Sequence, residues 1–150
     1  MFEKILVCLD GSKIAEQILP FVEAQAKQFS SKVTLFQAIS LSASALTGVG
    51  MAPAPADVII EQFRMAEERG RQYLQSVEQS LKARGIEATA VTLQSANVGE
   101  EIISYARKND IGLIALATHG RTGLGRAVFG SVADYVLRHS ALPLLVIKPK

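Results

Sequence analysis

The sequence predicts an α/β fold, a parallel β-sheet with helices packed on both of its faces. Two observations carry this. Five short runs, KILVCLD (4–10), KVTLFQAI (32–39), IEATAVTLQ (86–94), IGLIALA (111–117) and LPLLVIK (142–148), recur along the 150 residues. Most are apolar almost without interruption, as strands covered on both faces are. Between them lie segments whose apolar residues repeat every three or four positions. The order β-α-β-α-β-α-β-α-β calls for crossover helices above and below a parallel sheet. The length suits one domain, 1–150, with a sizeable core.

The first strand ends at Asp10, and Gly11-Ser12 leads into a helical pattern from Ser12 to about Ser30. Ile14, Ile18, Phe21, Val22 and Ala26 share one face of it. Pro20 inside the pattern is expected to kink the helix or end its first part. After the second strand, residues 41–56 (LSASALTGVGMAPAPA) carry no charge and are rich in Ala, Gly, Ser and Pro. They read as a loop, either a flexible connector or a lid or interaction surface. A long helix follows from about Ala56 to Arg84, with Ile59, Phe63, Leu74, Val77 and Leu81 near one stripe and Gly85 as its stop. IEATAVTLQ alternates as the third strand. In NVGEEIISYARKND (97–110), Asn97 caps a helix whose positive end is favoured by Glu100 and Glu101. SVADYVLRHS (131–140) is the last helix, and His139 at its end meets the helix dipole favourably.

In open α/β sheets, ligands bind beyond the carboxyl ends of the strands, where the strand order reverses. Two strand exits carry strong polar and glycine signals: Asp10-Gly11-Ser12 after strand one, and THGRTGLGRAVFGS (118–131) after strand four. The second has four glycines and invites comparison with phosphate loops. A Walker A loop requires G-x-x-x-x-G-K-[ST]. Gly120 to Ala127 has the glycine spacing, but Arg126 and Ala127 replace the lysine and the hydroxyl. The dinucleotide fingerprint G-x-G-x-x-G, started at Gly123, meets Val128 where its third glycine belongs. A third spacing fits. Gly120 and Gly130 are nine residues apart, and Gly130-Ser131 opens a helix whose free N–H groups would suit phosphate. The alternative is a glycine-rich turn in which Ser131 is an ordinary N-cap.

These stretches, KILVCLDGS at the start and ATHGRTGLGRAVFGSVADYVLRHSALPLLVIK at the end, resemble the universal stress protein family over essentially the whole chain. The family's nucleotide motif is G-x-x-G-(nine residues)-G-[ST]. Gly120, Gly130 and Ser131 match it, whereas Ala117 stands at the first glycine position. There its methyl would crowd a ribose or restrict the turn. The resemblance implies a Rossmann-like, open five-stranded sheet of order 3-2-1-4-5, with ATP as cofactor and magnesium with it left open. It further implies Asp10 at the ribose, the Ala38 backbone at adenine, and phosphates over Gly120, Gly130, Ser131 and the Val132 N–H. His119 and Arg121 either touch phosphate or are solvated, and Arg126 is a surface residue or a phosphate neighbour.

Fifth in that order, the strand at Leu144–Lys148 is an apolar sheet edge, a pairing hazard unless covered. A homodimer formed through it is the expected assembly. Net charge is only +2, which gives no electrostatic reason to expect nucleic acid. No run approaches a membrane span and no signal peptide is seen, so a cytoplasmic, membrane-free protein is expected. The single cysteine, Cys8, excludes an intrachain disulfide and reads as a small buried side chain. The expected function is a stress-response module that binds an adenine nucleotide and acts through conformation or partner contacts. Slow ATP hydrolysis or phosphotransfer, and a dimeric interaction module that has lost nucleotide binding, are the alternatives. No Walker lysine, metal-ligand cluster or clear general base speaks for catalysis.

Overall fold

A computed structural model describes residues 2–40, 55–118 and 130–150. The 41–54 stretch, and His119, Gly120, Arg121 and Arg126, lie outside the described residues. In chain order the elements are β1 (Lys4–Cys8), α1 (Lys13–Glu16), α2 (Leu19–Phe29), β2 (Lys32–Ile39), α3 (Ala56–Ala83), β3 (Ala88–Gln94), α4 (Val98–Lys108), β4 (Leu113–Ala117), α5 (Ser131–His139) and β5 (Leu144–Ile147). The five strands form one parallel sheet of order β3-β2-β1-β4-β5, as the family resemblance implies.

Alternation along the central strands builds two cores. Ile5, Val7, Val33, Leu35, Leu113 and Ala115 face one way and pack with Ile18, the residue that precedes α2, Val22 of α2 and Leu74, Val77 and Leu81 of α3. Leu6, Phe36, Ile114 and Leu116 face the other way, against Ile102 and Ala106 of α4 and Ala133 and Val136 of α5. Ile5, Leu6 and Val7 are all fully buried, which is why β1 has no polar face to alternate with.

The segment 12–30 is two helices. The Ser12 hydroxyl accepts from the Ala15 N–H at 3.1 Å to start α1. Pro20 then stands in the first turn of α2, where a missing N–H costs nothing. The expected apolar face is corrected at Phe21, which is 52% exposed. Ile18, Val22 and Ala26 are buried as expected, and Ala15 joins them in place of Ile14.

The long helix matches its expected span. Its exposed face carries pairs such as Arg64–Glu61 at 2.7 Å, which at this exposure add little stability. At its end Ile86 N–H donates to Leu81 C=O (3.1 Å) and Gly85 N–H to Lys82 C=O (2.9 Å), a Schellman stop with Gly85 at φ +79°. Asn97 caps α4, accepting from the Glu100 N–H at 3.5 Å. The strands β3, β4 and β5 are each shorter than their apolar runs, because Ile86, Ile111 and Leu142 pack in or against the core outside the ladder.

Two outcomes are expected. A Cβ at Gly85 meets nothing within 4 Å, so Gly85→Ala tests backbone strain alone. Urea denaturation should show a loss of about 1–2 kcal/mol, with Gly85→Asn losing less. Cys8 lines a cleft and is half-buried rather than fully buried, and desolvation pushes its thiol up to about 12 from its usual 9. Between those values the unfolded chain releases this proton first, so Cys8 lowers stability as pH rises through that window. At mildly alkaline pH, iodoacetamide should label the native thiol far more slowly than the urea-unfolded one. Equal rates would mean that the thiol is not shielded.

Candidate functional site

The reversal of strand order falls between β1 and β4, where β1 turns back to β2 on one side and β4 leads outward to β5. Helices cannot close over the sheet's carboxyl edge at such a point. A cleft of about 620 Å³ opens there, walled by the ends of β1, β2 and β4, by Ala66–Tyr73 of α3, by Val98 and Ile102 of α4, and by the start of α5. Asp10, Ala38, Ala117, Gly130, Ser131 and Val132 all line it. Of the expected site residues, Gly120 alone lies outside the described chain.

At the exit of β1, Asp10 Oδ1 accepts from the Ser12 N–H at 2.9 Å. The carboxylate therefore shapes the turn, and Gly11 at φ +82° completes it. Asp10 Oδ2 makes no hydrogen bond among the described residues. Asp10 thus caps the turn with one oxygen and keeps the other, unbonded among the described residues, at the cleft.

Ala38 owes its place to ladder parity. The last rung between β1 and β2 runs from the Leu9 N–H to the Phe36 C=O, at 2.9 Å. Two residues on, the Ala38 N–H and C=O point the same way, past the end of β1 and toward the cleft. Ile39 is turned the other way, and its C=O accepts from the Ser95 N–H at 3.0 Å.

On the opposite wall, the Gly130 N–H donates to the Thr118 C=O at 2.6 Å, and the Thr118 N–H donates to the Ile147 C=O at 2.9 Å. These bonds fasten the start of α5 to the end of β4. Gly130 is the N-cap residue and no side chain caps the helix. The reading of Ser131 as an ordinary N-cap is thereby corrected: Ser131 is the first helical residue. The first intrahelical bond is Asp134 N–H to Gly130 C=O, so the N–H groups of Ser131, Val132 and Ala133 have no partner among the described residues. They form the positive end of a helix directed at the cleft. Ala117 is the last residue of β4, in register with Ile147, and is not among the residues of positive φ. The backbone there does not require glycine, so the only consequence of the methyl is the space it takes.

Residues that the sequence reading did not single out also line the cleft: Gln37, Arg69, Gly70, Tyr73 and Thr118. Burial, followed by the nearby Glu16 and Asp10 carboxylates, holds the Tyr73 hydroxyl well above the usual tyrosine range. It stays protonated. Two signals in the sequence pointed to this wall: a glutamine inside the apolar run of β2, and a glycine in mid-helix at position 70.

Known proteins agree with this architecture. The model of the Universal stress protein family matches residues 1–148. Universal stress protein MJ0531 of Methanocaldococcus jannaschii is 27% identical over 148 residues, 99% of this chain and 83% of that protein. Universal stress protein YxiE of Bacillus subtilis is 24% identical over 152 residues, 99% of this chain and 100% of that protein. Among solved structures, hypothetical protein MJ0577 is similar with a TM-score of 0.84 at 25% identity, covering 100% of this chain and 98% of that one. With a match over all but its last two residues and the strand order expected of such proteins, the chain belongs to the universal stress protein family.

Proposed function

We propose that this protein is a single-domain, cytoplasmic stress-response module that binds an adenine nucleotide, ATP with or without magnesium, in the cleft at the carboxyl edge of the sheet. One observation carries the reading. The N–H groups of Ser131 and Val132 and the second Asp10 oxygen, all unbonded among the described residues, converge with the outward-facing Ala38 backbone on one cavity. These are the three kinds of group a nucleotide needs. Phosphates take the helix N-terminus, where unpaired N–H groups and the dipole favour anions. Gly130 lets the ligand approach the backbone and Ser131 adds a hydroxyl. A ribose hydroxyl donates to Asp10, and the base pairs with the Ala38 backbone. Gly120 and Ala117 complete the motif in sequence. Two proteins of the same fold have been solved with cAMP and with dAMP. At 16% and 20% identity they share the fold alone with this chain, so the argument rests on its own residues.

The reading is of binding rather than turnover. Among the described residues, Asp10 is the one carboxylate in the lining, and it stands at the end of β1 rather than at the α5 N-terminus. A general base must reach the proton it removes. Signalling then runs through conformation or partner contacts.

The assembly proposed with it is a homodimer through β5. The two sheet edges differ. On β3, the Glu78 carboxylate of α3 accepts from the Ala90 N–H at 3.0 Å, which occupies the outer edge with a charged side chain. The β5 residues Leu144–Ile147 are apolar and all partly exposed, and the pairing hazard of such an edge is relieved by a second copy. No helix among the described residues is long and apolar enough to cross a membrane.

Calorimetry on the purified protein should register ATP, AMP or cyclic AMP. An absence of heat with all three at millimolar ligand would overturn the binding reading. Gly130→Val should abolish binding, by closing the backbone to phosphate, while the circular dichroism melt stays cooperative; normal binding by this variant would move the phosphates elsewhere. Sedimentation should give a dimer at micromolar concentration, and a monomer would count against pairing through β5.

A further inference from the structure

The cleft does not stop at the groups that suit phosphate and sugar. It continues over the edge of the sheet to the α3 face, and there the protein leaves hydrogen-bonding capacity unused. Gln37 is the polar exception in β2. It follows Leu35 on the face that packs against α3, and only 6% of it is exposed. Its Oε1 is buried without a partner, and neither end of its carboxamide is hydrogen-bonded among the described residues. Buried polar groups in native proteins are paired in the large majority of cases. The Tyr73 hydroxyl, on the same wall, is likewise buried, with the Glu16 carboxylate near it.

The packing around Gln37 is close. A Cβ at Gly70 would lie 2.9 Å from Ile39 Cδ1 and 3.0 Å from Gln37 Oε1, so glycine is what admits the amide between α3 and β2. One end of the amide is pressed on Gly70, and the residue as a whole lines the cleft. The terminal torsion of glutamine is broad and roughly two-fold. Turning it exchanges which end meets the cavity at little cost.

Position relative to the ligand follows from strand geometry. Ala38, next in the chain, presents its backbone to the cleft, while the Gln37 side chain projects to the α3 face, opposite the face that carries α5. A ligand with its anionic end at α5 and its middle at Asp10 has its far end at this wall. We propose that Gln37 adds a base-recognition contact beside the Ala38 backbone: with one end of its carboxamide held against Gly70, the other end meets the base in the cleft and accepts from the exocyclic amine of adenine when its oxygen is turned there. This rests on the nucleotide reading above. A site with such a buried amide rejects a ligand that lacks the partner for it, because the amide is then left unpaired. Since the amide can turn over, it accepts from an amine or donates to a carbonyl oxygen at that place on the base.

The test is a cycle of two ligands and two proteins by calorimetry: ATP and purine riboside triphosphate, which has no exocyclic amine, against the wild-type chain and Gln37→Met. Wild type should favour ATP by about tenfold or more, through the Ala38 backbone and the Gln37 amide together. Gln37→Met should lose about fivefold or more of that preference and keep the wild-type affinity for purine riboside triphosphate. A preference for ATP as large in Gln37→Met as in wild type would overturn the inference and leave nucleotide binding intact. Failure of the wild type to bind either ligand would overturn both. If Gln37→Met does not melt cooperatively, Gln37→Asn, which withdraws the amide by one methylene, takes its place with the same expected loss of preference.

Discussion

The parallel ladder between β1 and β4 is the constraint on which the rest of the molecule depends. Its three rungs, Ile5 with Leu113, Leu6 with Ile114 and Val7 with Ala115, join the two halves of the sheet at the point where the chain changes direction. These six residues are almost wholly buried. A slip of one residue would exchange the faces of every side chain in the strand and disrupt both cores at once. The register is therefore held by hydrophobic packing on two sides. The distance between the exit of β1 and the exit of β4 is held with it. The cleft has no scaffold of its own; it is the gap left where two cores agree on one register.

From that seam, the walls follow by short local devices. Asp10 and Ser12 each accept a backbone N–H and turn the chain after β1. The end of β1 leaves the Ala38 N–H and C=O without a neighbouring strand on the cleft side. Thr118 holds Gly130, so the uncapped start of α5 is fixed relative to β4. Every group that would meet phosphate or sugar is thus backbone or a short side chain close to it. Gln37 is different. Its reach into the cavity depends on how closely α3 lies on β2, and therefore on Gly70.

How much was legible in the sequence follows the same division. Continuous apolar runs gave the strands, and β2 and α3 agree with their expected bounds within a residue. Asn97 and Gly85 were readable because capping and left-handed stops are local chemistry. The cluster at Asp10, Ala117 and Gly130-Ser131 was readable through spacing and family likeness. Phe21 misled because its three-residue step from Ile18 fits the helical period, while the buried stripe runs on through Val22 and Ala26. Ser131 stood as an alternative N-cap because its hydroxyl is a good one, yet Gly130 holds that position. Gln37 and Tyr73 were not found, since they meet only when a helix thirty residues away closes on the strand, and no local spacing encodes that approach.

The bond from Gly130 to Thr118 has one more consequence. It fastens the residue that opens α5 directly to the exit of β4, through backbone atoms alone. The sheet therefore sets where the helix N-terminus stands. A change in the Thr118 side chain leaves that bond its acceptor, whereas a proline at position 130 would remove its donor and release the helix start from the strand.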